Sequence, residues 1–195
     1  MALDILPPRP TGALQTSSGA FFNVFEPRLE DVSLFDIARA LSNLTRFGGH
    51  VPRFYSVAQH SVLVSRLVPA ELAREGLLHD AAEAYVLDMP RPIKHHPSFK
   101  LYREIEDSVE RVIARKFNLQ YPFPVDIKKA DNKALAIEAL KLKHAQGNPY
   151  WEPWLTEFAD EHQELLEAPL IPLQPDYAFE LFSERCRDLG LYLPE

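Results

Sequence analysis

Along most of this chain, apolar residues recur every three or four positions, the period of a helix with one buried face. Leu34, Ile37, Ala38, Leu41 and Leu44 set this rhythm first. Ser33 precedes them as an N-cap, with Asp36 at the third helical position, so a helix is predicted from Leu34 to about Thr45. Two glycines and a proline then interrupt the pattern in Thr45–Pro52, a loop expected to expose Arg46, Phe47 and His50. Ser56 with Gln59 three residues on is a capping box. It opens a second helix whose inner stripe is Val57, Ser61, Val64 and Leu67 or Val68, with His60 beside it. After Pro69 a third helix is predicted over Ala70–Tyr85, and Asp88–Lys94 leaves it as a proline-locked loop. Two long amphipathic helices are predicted over Phe99–Phe117 and Asp126–His144. Gly147-Asn148-Pro149 breaks the second. One short helix within Tyr150–Leu170 and a longer one over Pro175–Leu191 complete the set.

Alternation of the strand type is confined to Phe21–Phe25, stopped by Pro27, where a brief N-terminal β-hairpin is weakly signalled. The expected class is therefore all-α, a helical bundle of about seven helices with no βαβ unit. Residues 1–20, rich in Pro, Gly, Thr and Ser, are expected to be a flexible lead-in, and residues 21–195 a single domain. Trp151, Trp154, Phe158, Phe179 and Phe182 are expected to be core or interface aromatics.

Composition narrows the function. The balance of 46% hydrophobic and 25% charged residues is that of a soluble globular protein. A net charge of −7 argues against a surface for duplex nucleic acid. No basic stretch followed by an apolar run marks a signal peptide, and no apolar run reaches a membrane-spanning length. The one cysteine, Cys186, cannot form an internal disulfide. It sits in a helical pattern and reads as a packing residue in a reducing, cytoplasmic setting.

The chemistry concentrates in Leu77-Leu78-His79-Asp80-Ala81-Ala82-Glu83. On a helix His79 and Asp80 diverge by about 100°, so the pair can approach one ion from two sides. Glu83 follows one turn later on their face. Ionic groups on an otherwise apolar helix are costly unless they pair or hold a metal. A surface His-Asp pair is the plain alternative. His60 on one helix and Asp131 on another complete a mixed nitrogen and oxygen set suited to a divalent transition ion. A lone histidine on such a face, as His60 is, is usually a satisfied core histidine. His95, His96, His144 and His162 lack partners at ligand spacing and are expected at the surface.

His60, then His79-Asp80, then Asp131 resembles the H…HD…D signature of the HD-domain metal-dependent phosphohydrolases. Arg46-Phe47-Gly48-Gly49-His50, Tyr55-Ser56-Val57-Ala58-Gln59-His60, Leu77–Tyr85 and Asp88-Met89-Pro90-Arg91-Pro92-Ile93-Lys94 resemble the small, single-domain bacterial and phage branch. The resemblance spans roughly residues 21 to 140. It implies a Zn, Co or Mn ion on His60, His79, Asp80 and Asp131, with additional Mg on the substrate phosphates. Glu83 would accept a proton or orient water, and Asp88 would act as a second carboxylate or simply as a turn residue. Arg46 and Lys94 would reach phosphate oxygens. His50 would touch phosphate or hold its loop, and Phe47 would stack on a base or fill the core.

Two activities are implied, on a nucleotide substrate and in a homo-oligomer. One is a dATP triphosphohydrolase of the phage type, to which the Arg46–His50 loop is nearer. The other is a 5′-deoxynucleotidase acting on deoxynucleoside monophosphates. A non-catalytic nucleotide-binding module and a structural metalloprotein are the alternatives from other classes. Structural metal sites tend to be closed and Cys-rich, and this set has no cysteine.

Overall fold

In a computed structural model that describes residues 12–142, 148–151, 153 and 169–192, the architecture is helical with one two-stranded hairpin at its N-terminal edge. Strand β1 (Ala13–Gln15) pairs antiparallel with β2 (Phe21–Asn23), with Leu14 opposite Phe22. Part of the expected lead-in is therefore ordered structure. Two contacts hold it. Phe22 is fully buried and stacks on Tyr85 with ring centroids 3.7 Å apart. The Ser18 amide and hydroxyl donate to the Asp36 carboxylate at 2.7 and 2.8 Å.

The described helices are α1 (Leu34–Asn43), α2 (Val57–Leu67), α3 (Ala73–Leu78), α4 (Glu83–Val86), α5 (Arg91–Lys94), α6 (Lys100–Phe117), α7 (Val125–Leu142) and α8 (Pro175–Asp188). Helix α2 lies at the centre and packs on α1, α3, α7 and α8. Its wide apolar contact follows from small and β-branched residues on several faces: Val57, Ala58, Ser61, Val62, Val64 and Ser65 are all buried. One apolar cluster joins Phe22, Ile37, Leu41, Val57, Leu77, Leu78, Val109, Ile113 and Phe182. A second joins Val64, Val68, Ala73, Ile127, Ala130 and Ala134. Cys186 is buried in the first, and burial pushes its thiol up to about 12, in keeping with a packing role. No described helix is long and apolar enough to cross a membrane.

The chain departs from expectation at three places. Ala70–Tyr85 is not one helix. It is a 3₁₀ turn (Ala70–Leu72), then α3, then a tight turn over 79–82, then α4. Within that turn the amides bond three residues back, Ala81 to Leu78 and Glu83 to Asp80, as in a tightened helix. The Pro-rich Arg91–Lys94 stretch, expected as loop, is a single helical turn. Pro90 precedes it and Pro92 lies in its first turn, where no amide donor is needed. The capping box is half formed. Ser56 accepts from the Gln59 amide at 3.1 Å, but the Gln59 side chain does not reach back. It donates to the Ile171 carbonyl at 3.0 Å and accepts from the Leu173 amide at 2.9 Å. The expected Tyr150–Leu170 helix, with Trp154, Phe158 and His162, lies largely outside the described residues, as does His144 at the end of the expected Asp126–His144 helix.

Helices α2 and α3 can touch closely only because residue 76 is glycine. A Cβ there would meet the Ser65 Cα at 3.0 Å and the Val68 side chain at 3.0 Å. Gly76→Ala should therefore destabilise the protein by about 1–3 kcal/mol through overpacking, although alanine is the better helix former. Denaturant unfolding measures this, and an unchanged or raised midpoint would show that the two helices have room to spare.

Candidate metal centre

Four side chains from α2, the α3–α4 turn and α7 converge. His60 stands in the middle of α2 with no exposed surface. His79 and Asp80 sit in the tightened turn, and Asp131 lies two turns into α7. His60 Nε2 is 3.3 Å from Asp131 Oδ1 and 3.5 Å from Asp80 Oδ2, and His79 Nε2 is 3.1 Å from Asp80 Oδ2. The two imidazoles are 5.3 Å apart between ring centres. The donor atoms of His60, His79 and Asp131 all lie within 4.8 Å of one another.

In both histidines Nδ1 is fixed as a donor. His60 Nδ1 donates to the wholly buried Glu138 at 2.7 Å, and His79 Nδ1 donates to the Gly76 carbonyl at 2.9 Å. A continuing helix would offer that same carbonyl to the Asp80 amide. With Nδ1 engaged, each ring turns its Nε2 inward, and both Nε2 atoms are buried without a hydrogen-bond partner. Ions of this class take nitrogen and oxygen donors at about 2.0–2.2 Å, so donors around one ion stand roughly 3.0–3.5 Å apart. The observed separations and the orphaned Nε2 atoms fit a divalent ion, with a carboxylate behind one histidine and a carbonyl behind the other.

The electrostatics follow from five carboxylates, Asp80, Glu83, Asp88, Asp131 and Glu138, crowded into a buried or half-buried space. Burial and Arg46 oppose a charge on His60, but Glu138 and Asp131 outweigh them and raise its pKa to about 9. Burial likewise works against the charges of Asp80 and Asp131, yet the histidines hold both below the usual carboxylate range. Glu83 has no such help. Burial, then Asp80 and Asp88, pushes its pKa well up, only partly offset by Arg46 and Lys94. Its Oε2 is buried without a partner. Asp88, half-buried after α4, is raised chiefly by burial.

The residues expected to meet substrate are placed differently from one another. Arg46 is not exposed. It is buried, donates to Glu138 at 3.1 Å and lies 3.9 Å from Asp80. Burial opposes its charge, but Glu138 leads the acidic groups that keep it protonated. Its loop is closed at the base by a Thr45–Ser56 bridge and by the Arg46 amide on the Tyr55 carbonyl at 2.8 Å. A long side chain on a closed loop can turn inward where a buried acid awaits it. Phe47 is half-buried, with its ring 5.3 Å from the Arg46 guanidinium and its backbone at φ 59°. That left-handed conformation is uncommon outside glycine. His50 is exposed. Lys94 is bound to the buried Glu106 at 2.7 Å.

Glu138 is absent from the sequence-derived set. In Ala136-Ile137-Glu138-Ala139 it reads as one polar residue in an apolar run. The available signal was its spacing: seven residues after Asp131 on one helix, so two turns on and on the same face.

Comparison with known sequences adds relatives to this geometry. The chain is 39% identical over 177 residues to YfdR, an uncharacterized protein of Escherichia coli (strain K12), across 91% of this chain and 95% of that one. The chain belongs to the YfdR family. An uncharacterized protein of Rhodobacter capsulatus is 31% identical over 131 residues, 63% of this chain and 66% of that one. No family model matches the sequence.

Two outcomes test the centre. Glu138→Gln keeps an acceptor for His60 Nδ1 but removes the charge. It should weaken metal binding roughly tenfold to a hundredfold with helical content unchanged by circular dichroism, and parental affinity would make Glu138 a packing group. Metal uptake should also depend on pH. Below about 9, His60 carries a proton that an ion must displace, so affinity should climb with pH by roughly tenfold per unit and level off above that value. Titration with a chelator-buffered ion measures the slope, and a flat profile from neutral to alkaline pH would contradict it.

Proposed function

We propose that this protein is a metal-dependent phosphohydrolase that cleaves a deoxynucleoside triphosphate at the α-phosphorus, with dATP the favoured substrate and triphosphate and deoxynucleoside the products. The observation that carries this is the pair of buried Nε2 atoms facing two carboxylates, open to solvent on one side. Asp80 and Asp131 keep 20% and 16% of their side chains exposed, against 0% for His60. A structural site would be closed. A divalent ion bound there supplies an acidified water and neutralises phosphate charge.

The chain's own residues do the rest. His60, His79, Asp80 and Asp131 hold the ion. Glu83, one turn beyond Asp80 and pushed towards its protonated form by burial, holds or moves the proton exchanged with water and leaving group. Asp88 faces the same acidic space and acts as the second carboxylate, on water or on Mg carried by the phosphates. Arg46 and Lys94, tied to Glu138 and Glu106, contribute fixed positive potential. Phe47 and His50 border the entrance on the Arg46 loop. The remaining parts of the proposal are HD-domain membership, a cytoplasmic location and a homo-oligomeric state.

One observation favours the second reading, a 5′-deoxynucleotidase. Since Arg46 and Lys94 are engaged inside the fold, neither is free to follow the outer phosphates, and a monophosphate needs fewer cations. The assay that separates the readings offers dATP and dAMP to the metal-loaded protein and identifies the products. Triphosphate from dATP supports the first; orthophosphate from dAMP with dATP intact would replace it by the second. In either case Glu83→Gln should retain the metal and lose roughly 10² to 10⁴ in turnover. Near-parental turnover would remove Glu83 from the chemistry, and no metal-dependent turnover of any nucleotide would leave only a binding module.

A further inference from the structure

The cations that the sequence assigns to phosphate are already committed, Arg46 to Glu138 and Lys94 to Glu106. Two others stand at the rim of the centre, and both address one oxygen of a proposed metal ligand. Lys128 Nζ is 2.5 Å from Asp131 Oδ2, and Arg91 Nη2 is 3.8 Å from the same atom. The other oxygen, Oδ1, faces His60. Asp131 is therefore divided: one oxygen turned to the imidazoles, one to a pair of cations from different elements. Unlike Arg46, which keeps only 11% of its side chain exposed, Arg91 keeps 51% and Lys128 57%.

Their positions are set by the fold. Lys128 lies one turn before Asp131 on α7. Arg91 opens α5, whose C-terminal end is tied down by Arg103 donating to the Lys94 and His96 carbonyls at 2.5 and 3.2 Å. A short turn held at its far end presents Arg91 at a fixed place across from α7.

We propose that Arg91 and Lys128 form a clamp for the phosphate oxyanion that enters beside Asp131. The clamp deepens the phosphohydrolase reading and rests on it for the identity of the anion, while the placing of the two cations stands on their own geometry. Its physical need is plain: an incoming phosphate meets Asp80, Glu83, Asp88 and Asp131, all acidic, while the buried cations are spoken for. The two rim groups are complementary. A guanidinium offers a planar fork to two oxygens, and an ammonium offers a compact point charge. A role limited to neutralising Asp131 would alter metal content along with anion affinity when either is removed, whereas a clamp loses anion affinity at parental metal content.

The test uses the metal-loaded protein and two inorganic probes, orthophosphate and tripolyphosphate, with calorimetric binding and metal analysis on the same samples. Arg91→Ala and Lys128→Ala should each weaken binding of the probes roughly tenfold to a hundredfold at parental metal content. Arg91→Lys should recover part of the loss, and Lys116→Ala, on exposed α6 surface, should change nothing. Loss confined to tripolyphosphate would support the clamp and identify a polyphosphate tail as what it holds. Parental affinity in both alanine variants, equal loss in Lys116→Ala, or no anion binding by the parent would each overturn it. A parent that takes up no metal, yet loses anion affinity on Arg91→Ala, would refute the metal centre and leave the clamp standing.

Discussion

A carboxylate with no access to water has to find its partners inside the fold, and the candidate site is built on those that Glu138 finds. It takes the Nδ1 proton of His60 on one side and the Arg46 guanidinium on the other. Burial would raise its pKa, but His60 and Arg46 more than offset this and hold it below the ordinary range. Removing one member of such a buried group strands the other charges, at about 3–5 kcal/mol. The ring orientation of a candidate ligand and the anchoring of the 44–57 loop are consequently one bonding event. Helix α7 contributes twice, since Asp131 and Glu138 rise on one face two turns apart.

Helix periodicity made α1, α6, α7 and α8 legible through their apolar stripes, whereas α2, buried on nearly every face, was legible from its Ser56 cap and apolar spacing. The cluster of His60, His79, Asp80 and Asp131 was legible as a candidate site because acids and imidazoles in otherwise apolar helices demand a reason. The break at 79–82 was not. His79 keeps helical dihedrals there, and only the hydrogen-bond partner changes, from the fourth residue back to the third. The hydrophobic pattern reports which way side chains point, and that is nearly the same in both arrangements. Arg46 was misplaced for another reason. A Gly- and Pro-containing loop does run over the surface, but its arginine reaches a partner 92 residues away. Local sequence has no means of announcing such a distant acid. Glu106, the buried partner of Lys94, was hidden in the same way within a long run of charges.

Close packing and chemistry share residues in the α2–α3 pair. Gly76 leaves room for Ser65, and its carbonyl receives the ring proton of His79. The same backbone position therefore sets the distance between two helices and the direction of an imidazole. Small residues on α2 serve the same closeness: Ser65 is what the missing Cβ of residue 76 would meet.

Gln59 is next to His60 in the chain, and its amide is satisfied by backbone groups at 171 and 173, more than a hundred residues later. Ser65, at the other end of α2, is likewise held by Arg185. During synthesis from the N-terminus, every proposed ligand has emerged once Asp131 is made, yet the braces on α2 are still to come. A ribosome-bound chain at that stage carries the full set of candidate donors, of which His60 sits on a helix still lacking its partners for Gln59 and Ser65. The order of translation thus separates possession of the candidate ligands from completion of the scaffold that aims them.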